Sequence, residues 1–496
     1  MFILAAILAA PFVLAAVVVL FMKMSHKKVR LVKKEDGGSD TIKSAGIWYS
    51  LRILFGFEKG CNRERAMELY ERYKKESAYH TYLGPLSVIW ALDAKDARKI
   101  LMDRKIFKAI TLPESSSGGL LIAKSFGSMG EDIWKVHSHN IILPAFTNLE
   151  IFFPLFNDTI NECVEKWQSQ LVGGKATINT PEFMGRLTLD VLGRCLFGHD
   201  FKCISGEADE LREHYNFIFP QFLSMTELVL PFLKKLPTKY GRDFTLHYNG
   251  FVDGMNQIIN KARTRESKGE TDSLLDSMLR AVDSEDLGFT EEMVLHNISA
   301  FFLAGHETTA TGLGIILWCL ARYQDVQQKV YEEVQTVIEP NDFVPYDKLP
   351  ELEYMNMTLN ECFRLYFLGA GFLREVMEDT VVGGYRVPKG YLIGVNQAAM
   401  AMKPEYWDNP EEFNPDRFIP ENSKKRPYYA FTPFSTGPHT CTGKNFSIME
   451  QKMFIAKVLN RFKLSLPKGQ EEIKYRPCDE FNALDEDMRL IIERRK

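Results

Sequence analysis

The sequence predicts a mainly α-helical protein with small β-sheets, in which one long helix and one cysteine loop carry the functional groups. An apolar helical pattern continues over 290–322, which is unusually long for a globular protein. A glycine-bounded loop at 434–443 contains a single cysteine, Cys441, and precedes a second helical pattern over 444–462. The remaining elements are shorter helices and strands that place these two stretches.

The composition is that of a globular protein with a large core. Hydrophobic residues make up 45% of the 496 residues and charged residues 25%. A formal net charge of −4 gives no basic surplus for binding nucleic acid. The eight cysteines show no CxxC pair and no repeated spacing, which is typical of a reducing compartment and not of a disulfide framework.

Residues 1–22 carry no charge, and as a helix they would span about 33 Å, enough for a bilayer core. Basic residues follow this stretch and none precedes it, so the positive-inside rule places the rest of the chain in the cytosol. A cleavable signal peptide would have a shorter apolar region and a basic segment before it. We therefore expect a transmembrane anchor at 1–22, a basic and polar linker at 23–45, and a folded domain at 46–496.

Cys441 lies just before a helix, and a helix N-terminus favours an anion there. We therefore expect a thiolate, the form that ligates metal. No second cysteine and no Glu-x-x-His lies nearby, so a closed zinc site is not expected. One thiolate without other local ligands fits the axial position of a haem iron, and the alternative is an inert cysteine in a turn.

The pattern Phe434-x-x-Gly437-x-His439-x-Cys441-x-Gly443 resembles the haem-binding loop of the cytochromes P-450, the haem-thiolate monooxygenases. The resemblance extends from about residue 46 onward and favours the eukaryotic microsomal, membrane-anchored type. It implies a fold in which haem b lies between a long central helix and the cysteine loop. It also implies that Phe434 packs against the sulfur and that His439 contacts a haem propionate.

The long helix has an unusual middle, 304–309, which reads Ala-Gly-His-Glu-Thr-Thr. Glycine and threonine are poor helix formers, and a buried carboxylate without a partner is unfavourable. A kinked core helix with an ion-paired glutamate is one interpretation. The segment also resembles the oxygen-activation motif of the family, which implies that Thr308 hydrogen-bonds dioxygen and that Glu307 relays protons through water.

Two further positions resemble haem-propionate contacts of the family. Trp134 begins a Trp-x-x-x-Arg-like motif, although Ser138 stands where the arginine is expected. His137 or His139 could take over that contact, or both could be surface histidines. Arg374, five residues before Asp379, matches a second propionate-binding arginine.

Glu361 and Arg364 share one helix face at spacing i, i+3 and can pair. Such a pair is usually a solvated surface contact. The resemblance instead implies a buried pair on the thiolate side of the haem, joined by Arg417 and structural in role.

Four other patterns predict local structure. A helix should open with Asp325 as a capping residue and turn its valines inward, and 381–395 should form a hairpin around Pro388-Lys-Gly390. The Ser- and Gly-rich stretch 108–130 is either a mobile loop over the substrate or a plain surface loop. The apolar run 215–236 is core or, by resemblance, a lip that dips into the membrane.

The leading functional hypothesis is a monooxygenase that inserts one atom of dioxygen into a hydrophobic substrate of the sterol, fatty acid or xenobiotic class. NADPH would supply electrons through NADPH-cytochrome reductase, with cytochrome b5 as a second donor, at the endoplasmic reticulum membrane. The alternatives are a haem-thiolate isomerase or lyase acting on lipid peroxides, and a non-enzymatic membrane-anchored haem protein. Six basic residues either form a patch on which an acidic electron donor docks or are scattered solvated charges: Lys135, Lys424, Lys425, Arg426, Lys444 and Lys452.

Overall fold

The computed structural model describes residues 41–46, 49, 62–83, 86–110, 114–207, 209–221, 232–265, 273–284, 286–339, 342–366, 369, 371–476 and 483–495. The predicted anchor at 1–22 and most of the predicted linker at 23–45 lie outside these residues. Within the described residues, no helix combines the length and the apolar character that crossing a bilayer requires.

The described part of the chain is mainly helical, as predicted. Its α-helices are, in chain order, α1 (Asn62–Tyr73), α2 (Ala94–Met102), α3 (Ser117–Ile122), α4 (Glu131–His137), α5 (Phe153–Ser169), α6 (Thr180–Leu192), α7 (Asp209–Ile218), α8 (Lys239–Thr264), α9 (Leu274–Ser284), α10 (Glu291–Arg322), α11 (Gln324–Val337), α12 (Glu353–Leu365), α13 (Gln397–Ala401), α14 (Pro420–Ser423) and α15 (Lys444–Arg461). Short 3₁₀ and π segments connect several of them.

The sheets are small, also as predicted. The strands are β1 (Ala78–Leu83), β2 (Leu86–Ala91), β3 (Phe107–Ala109), β4 (Lys175–Asn179), β5 (Gly371–Val376), β6 (Thr380–Val382), β7 (Tyr385–Val387), β8 (Leu392–Asn396), β9 (Phe462–Ser465) and β10 (Arg489–Arg494). They form a five-stranded sheet with the order β1-β2-β8-β5-β3, a three-stranded sheet with the order β4-β10-β9, and the pair β6-β7. The β2–β8 pair is parallel, and the other pairs are antiparallel.

The predicted hairpin over 381–395 is wrong in its turn and in its second strand. The hairpin turns at Gly383 and Gly384, both at positive φ, which suits a two-residue loop between β6 and β7. The second apolar run is β8, which pairs with β2 and β5 in the large sheet. Pro388-Lys-Gly390 therefore leads from the hairpin to the sheet.

Helix α10 passes through the core and has the predicted N-cap. The Thr290 side chain accepts a hydrogen bond from the N–H of Met293 at 3.3 Å. One interior glycine of α10 is explained by a close helix contact, because a Cβ at Gly305 would lie 2.6 Å from Cδ1 of Leu192 in α6. Glycine therefore lets α6 approach the middle of α10.

Helix α11 begins two residues earlier than a cap at Asp325 predicts. It starts at Gln324, and no side chain caps its N-terminus. Asp325 lies in the first turn, where its negative charge interacts favourably with the helix dipole. The predicted inward face is confirmed, since the four valines of this helix are buried: Val326, Val330, Val334 and Val337.

The stretch 108–130 contains a helix, α3, that packs on α10. The N–H of Lys124 donates to Nδ1 of His296 (3.4 Å), and the N–H of Phe126 donates to Oδ1 of Asn297 (3.0 Å). Residues 111–113, 222–231 and 367–368 lie outside the described part of the chain. The centre of the predicted membrane lip therefore lies outside it too.

Candidate active site

The cysteine loop is closed by its own backbone and packs on the end of α2. The N–H of Cys441 donates to the carbonyl oxygen of Phe434 at 2.9 Å. Gly437 has φ +78°, and a Cβ there would lie 2.7 Å from the carbonyl oxygen of Leu101 and 2.8 Å from Sδ of Met102. Glycine is therefore required at 437 both by the backbone conformation and by the close approach. Cys441 itself is exposed.

The protonation of Cys441 differs from the expectation. Protein atoms packed around one side of the thiol raise its pKa, while the N–H groups of Gly443 and Lys444 and the Lys444 ammonium lower it, and the net direction is upward. The helix N-terminus alone does not hold a thiolate here, because desolvation outweighs it. A bound metal ion deprotonates a coordinating thiol outright, so the thiolate belongs to the metal-bound form.

Four polar side chains gather around Trp134, and we call these five residues the Trp134 cluster. The ring of His439 lies 4.4 Å from that of Trp134, and its Nε2 lies 3.1 Å from Oε2 of Glu131. Arg104 lies over the Trp134 ring at 5.7 Å and pairs with Oε1 of Glu131 at 2.7 Å. Arg374 is buried, and its charge acts on both Glu131 and His439. Burial lowers the pKa of both Arg374 and His439.

His137 at the end of α4, and Ser138 and His139 in the π segment that follows it, lie in other surroundings. His137 is buried, and its Nε2 lies 2.9 Å from a backbone carbonyl oxygen near the start of α10. His139 is exposed, with Nδ1 against the carbonyl of Lys135, and its ring lies edge-on to Trp134 at 6.3 Å. Ser138 is buried. The cluster takes its imidazole from His439 and not from either of these histidines.

The middle of α10 lies beside the start of α15, the helix that follows the cysteine loop. The hydroxyl of Thr309 lies 3.0 Å from that of Ser447 in the first turns of α15. The neighbouring Thr308 donates its hydroxyl hydrogen to the carbonyl oxygen of Ala304 at 2.5 Å. Ala304 is exposed although most of α10 is buried, so this face of the helix borders open space.

Glu307 is ion-paired to a loop near the end of the chain. Its Oε2 lies 3.5 Å from the guanidinium of Arg476, which in turn lies 3.7 Å from the exposed carboxylate of Glu486. Burial raises the pKa of Glu307, and the charges of Arg476 and Arg212 act in the opposite direction. The salt-bridged glutamate of the alternative interpretation is therefore present in the helix, next to Thr308.

His306, the preceding residue, is buried against aromatic side chains. Its ring lies 5.3 Å from that of Tyr215 and 5.9 Å from that of Phe302. Among the described residues, neither ring nitrogen has a hydrogen-bond partner in good geometry, although the backbone of Gly185 lies near the ring. Burial lowers the pKa of His306 to about 3, so the imidazole is neutral at physiological pH.

Glu361 and Arg364 of α12 form a fully buried bidentate pair, at 2.7 and 2.8 Å. Arg417 approaches the same carboxylate at 3.3 Å, and the N–H of Asn414 donates to it at 2.8 Å. The remaining Arg364 donors reach three backbone carbonyls, those of Ala401, Pro410 and Glu412. The three predicted structural residues therefore lie in one network, which ties α12 to the segment before the cysteine loop.

The functional groups fit haem. Haem b carries an iron that binds one thiolate. It also carries two propionate carboxylates, which pair with cationic side chains. The loop offers one thiol, and the Trp134 cluster offers three basic side chains against one carboxylate. Phe434 of the loop packs edge-on against Phe363 of α12 at 5.4 Å, which anchors the loop in the core. Among the described residues, no group of three His, Cys, Asp or Glu could hold a metal ion without a cofactor.

Comparisons with known proteins give one family. The sequence model described as Cytochrome P450 matches residues 46–482. Human cytochrome P450 4F8 is 30% identical over 426 residues, which cover 79% of this chain and 78% of that protein. Human cytochrome P450 3A5 is 28% identical over 431 residues, which cover 83% and 81%.

Solved structures show the same fold. The crystal structure of the cytochrome P450DA heme domain has a TM-score of 0.76 at 22% identity, covering 92% of this chain and 97% of that one. Retinoic acid bound cyanobacterial CYP120A1 has a TM-score of 0.73 at 21% identity, covering 86% and 93%.

The fold and the single-thiol site define a mainly α-helical haem-thiolate protein. This chain belongs to the cytochrome P450 family. It is accordingly a haem-dependent monooxygenase that uses NADPH-derived electrons delivered by a redox partner, and the family assignment favours this activity over the two alternatives.

Three residues that the structure places at the site are not predicted from the sequence: Arg104, Glu131 and Arg476. Each is distant in sequence from the groups it contacts, and no local pattern marks it.

The predicted basic patch is partly wrong. Lys452 is buried, with its ammonium on the carbonyl of Leu349, and Arg426 is stacked over the Trp407 ring at 3.8 Å.

Proposed function

We propose that this monooxygenase is a single-pass protein of the endoplasmic reticulum membrane, with residues 1–22 as anchor, 23–45 as linker and 46–496 as the cytosolic haem-thiolate domain. The uncharged 22-residue start and the basic residues after it support this arrangement. Three large apolar side chains exposed at the end of the 215–236 run and in the first half of α8 support a second contact with the membrane: Phe232, Leu236 and Leu246. A substrate dissolved in the bilayer, of the sterol, fatty acid or xenobiotic class, suits this placement.

The anchor can be tested separately from the enzyme. Residues 1–45 fused to a soluble reporter should remain in the membrane fraction after alkaline carbonate washing. A matched fusion with two central residues changed, Leu14→Asp and Val18→Asp, should be released, because charges inside a bilayer are strongly unfavourable. Release of the unchanged fusion would contradict the anchor.

The proposed roles at the site divide between the two sides of the cofactor. Cys441 would ligate the haem iron through its sulfur, and Phe434, Gly437 and Gly443 would shape its loop. Trp134, Arg374 and His439 would hold the propionates through N–H donors and positive charge. On the thiolate side, Glu361, Arg364 and Arg417 would stabilise the loop, through the buried network that joins α12 to the preceding segment.

Haem, when bound, supplies the reductive activation of dioxygen, with one oxygen atom passing to the substrate and the other leaving as water. Glu307 and Thr308 would carry the protons that this reaction needs. Burial raises the pKa of Glu307, so more of it is protonated near neutral pH than in water. The Thr308 hydroxyl now donates to Ala304, and its lone pairs are left to accept from a water or from Glu307. To donate toward dioxygen, Thr308 must release that bond.

The loop cysteine beside a basic cluster is the observation on which these roles rest, and the carbon monoxide difference spectrum tests them. The dithionite-reduced protein should show a strongly red-shifted Soret band, and Cys441→Ser should lose it. A band at the ordinary histidine-haem position in well-folded protein would contradict thiolate ligation.

The proton path has its own test. Thr308→Ala should continue to consume NADPH while the fraction of electrons recovered in product falls roughly tenfold or more. Thr311→Ser, a conservative change at a buried threonine on the same helix, is the control and should keep the parental ratio. An unchanged ratio in Thr308→Ala would remove Thr308 from the path.

The electron donor we propose is NADPH-cytochrome reductase, with cytochrome b5 as a second donor. Four exposed lysines of the predicted patch remain available for an acidic partner: Lys135, Lys424, Lys425 and Lys444. Replacing them with glutamate should slow reduction by the flavoprotein and leave reduction by dithionite unchanged.

A further inference from the structure

Two histidines face each other between helices α7 and α8. Nδ1 of His214 in α7 lies 3.0 Å from Nδ1 of His247 in α8, and the two rings are inclined at 68°. Both side chains are only partly buried. In a pair of neutral rings at this distance, one Nδ1 carries a hydrogen and the other presents a lone pair. Neither residue has a role at the proposed haem site.

The neighbours of the two rings hold them in place. The ring of Phe217 stacks on that of His247 at 4.3 Å, with only 16° between their planes. A Cβ at Gly250 would lie 2.1 Å from Nε2 of His214, and one at Gly254 would also collide with α7. Glycine at these two positions of α8 lets α7 approach closely. The short distance between the two imidazoles is therefore built into the packing of the helices.

We propose that His214 and His247 bind a divalent transition metal ion, copper(II) or nickel(II), through their Nδ1 atoms. A metal ion about 2.0–2.1 Å from each nitrogen would subtend an angle of about 90–100° at this spacing. Tetrahedral coordination would hold the two nitrogens about 3.3–3.4 Å apart, so the spacing fits the tetragonal geometry of copper(II) and nickel(II) better than that of zinc.

The protein would supply two ligands and water the others. Among the described residues, no third His, Cys, Asp or Glu completes the site, and the partly buried position leaves room for solvent ligands. When the metal binds, the hydrogen between the two Nδ1 atoms moves to Nε2 of its ring, so no proton has to leave the protein.

A metal ion at this place would link two helices that contact the middle of α10. The Tyr215 ring of α7 lies 5.3 Å from that of His306, and the Phe251 ring of α8 lies 5.5 Å from that of Phe302. The bound ion would therefore restrict the motion of α7 against α8 on this side of α10. This inference is independent of the proposed haem ligands and of the proposed membrane anchor.

Calorimetric titration of the haem-loaded protein, prepared without a polyhistidine tag, with nickel chloride tests the site. The parent should bind one equivalent of nickel, and His214→Gln and His247→Gln should each weaken binding about tenfold or more, because the second imidazole no longer acts at high effective concentration. His139→Gln removes an exposed histidine elsewhere and should match the parent. Nickel that binds equally to the parent and to both variants would place the metal at another site and overturn the proposal.

Two measurements keep the test independent of whether the variants fold. X-ray absorption at the nickel edge of the parent should show two imidazole nitrogens in the first coordination shell, and a shell with one or none would refute the site. Hydrogen exchange of the backbone amides of α7 should slow when nickel is added to the parent. Exchange that does not respond to bound nickel would contradict a link between the two helices.

Discussion

The buried carboxylate of Glu361 gives the most quantitative prediction. It is fully buried, accepts hydrogen bonds from Arg364 and from the N–H of Asn414, and forms an ion pair with Arg417 at 3.3 Å. Glu361→Gln keeps the shape but removes the only negative charge within ion-pair distance of the Arg364 guanidinium among the described residues. Breaking a buried pair by removing one partner typically lowers the free energy of unfolding by about 3–5 kcal/mol.

This loss converts to a melting shift. A domain of roughly 440 residues has an unfolding entropy of about 0.9 kcal/mol/K near its midpoint, so the expected decrease in Tm is about 3–5 °C. The assay is thermal unfolding of the haem-loaded protein, followed by the Soret band and by circular dichroism at one scan rate.

The chain contains a matched control. Lys348 and Glu351 form an ion pair at the same i, i+3 spacing, but both side chains are about half exposed. Glu351→Gln should shift Tm by less than about 1 °C, because exposed pairs contribute little. Equal shifts for the two variants would refute the reasoning, since burial is the feature that separates them.

Three further changes test other parts of the site. His306 has a folded-state pKa of about 3, below its unfolded value of about 6.5, so between these pH values the unfolded chain binds a proton at His306 and the folded chain does not. The free energy of unfolding therefore falls as the pH falls, by about 2–3 kcal/mol between pH 6 and pH 4. When unfolding is measured at several pH values, His306→Asn should lack this part of the pH dependence. Gly437→Ala places a Cβ at φ +78° against the backbone of α2. It should lower the free energy of unfolding by roughly 2–4 kcal/mol, and the protein should lose haem on purification. The control is Gly130→Ala, where the added Cβ meets open space, and this variant should keep its haem and the parental Tm. Arg364 donates five hydrogen bonds, whereas a lysine at this position keeps the charge but has only three N–H donors. The Tm of Arg364→Lys should therefore be lower than that of the parent by roughly 2 °C or more. An unchanged Tm would show that the charge alone is sufficient.

The elements that local signals define were predicted well. Helix α10 follows a continuous apolar pattern and a threonine cap, and α12 and α15 follow periodic patterns near proline and glycine. The wrong hairpin turn has a physical reason as well. The sequence offers two turn signals in 381–395, and the Gly-Gly pair fits a two-residue loop, whereas the Pro-Lys-Gly signal does not.

The electrostatic environment could not be predicted in the same way. Helix position suggested a thiolate at Cys441, but the packing that raises its pKa comes from tertiary structure. The sequence suggests a surface charge at Lys452, but the side chain is buried and its ammonium donates to the carbonyl of Leu349 in a 3₁₀ turn. Arg104 and Arg476 reach the site from distant segments, so no local pattern could connect them to Trp134 or Glu307.

The Arg364 network also constrains the order in which this protein can fold. Glu361 and Arg364 can pair as soon as α12 forms, but three acceptors of Arg364 lie 37, 46 and 48 residues later in the chain. At ribosomal rates of about 5–20 residues per second, those acceptors are synthesised roughly 2–10 seconds after the arginine. Until then the guanidinium lacks most of its partners and stays in water. Burial of α12 must therefore wait for residues 401–412, so this side of the site is completed late in folding.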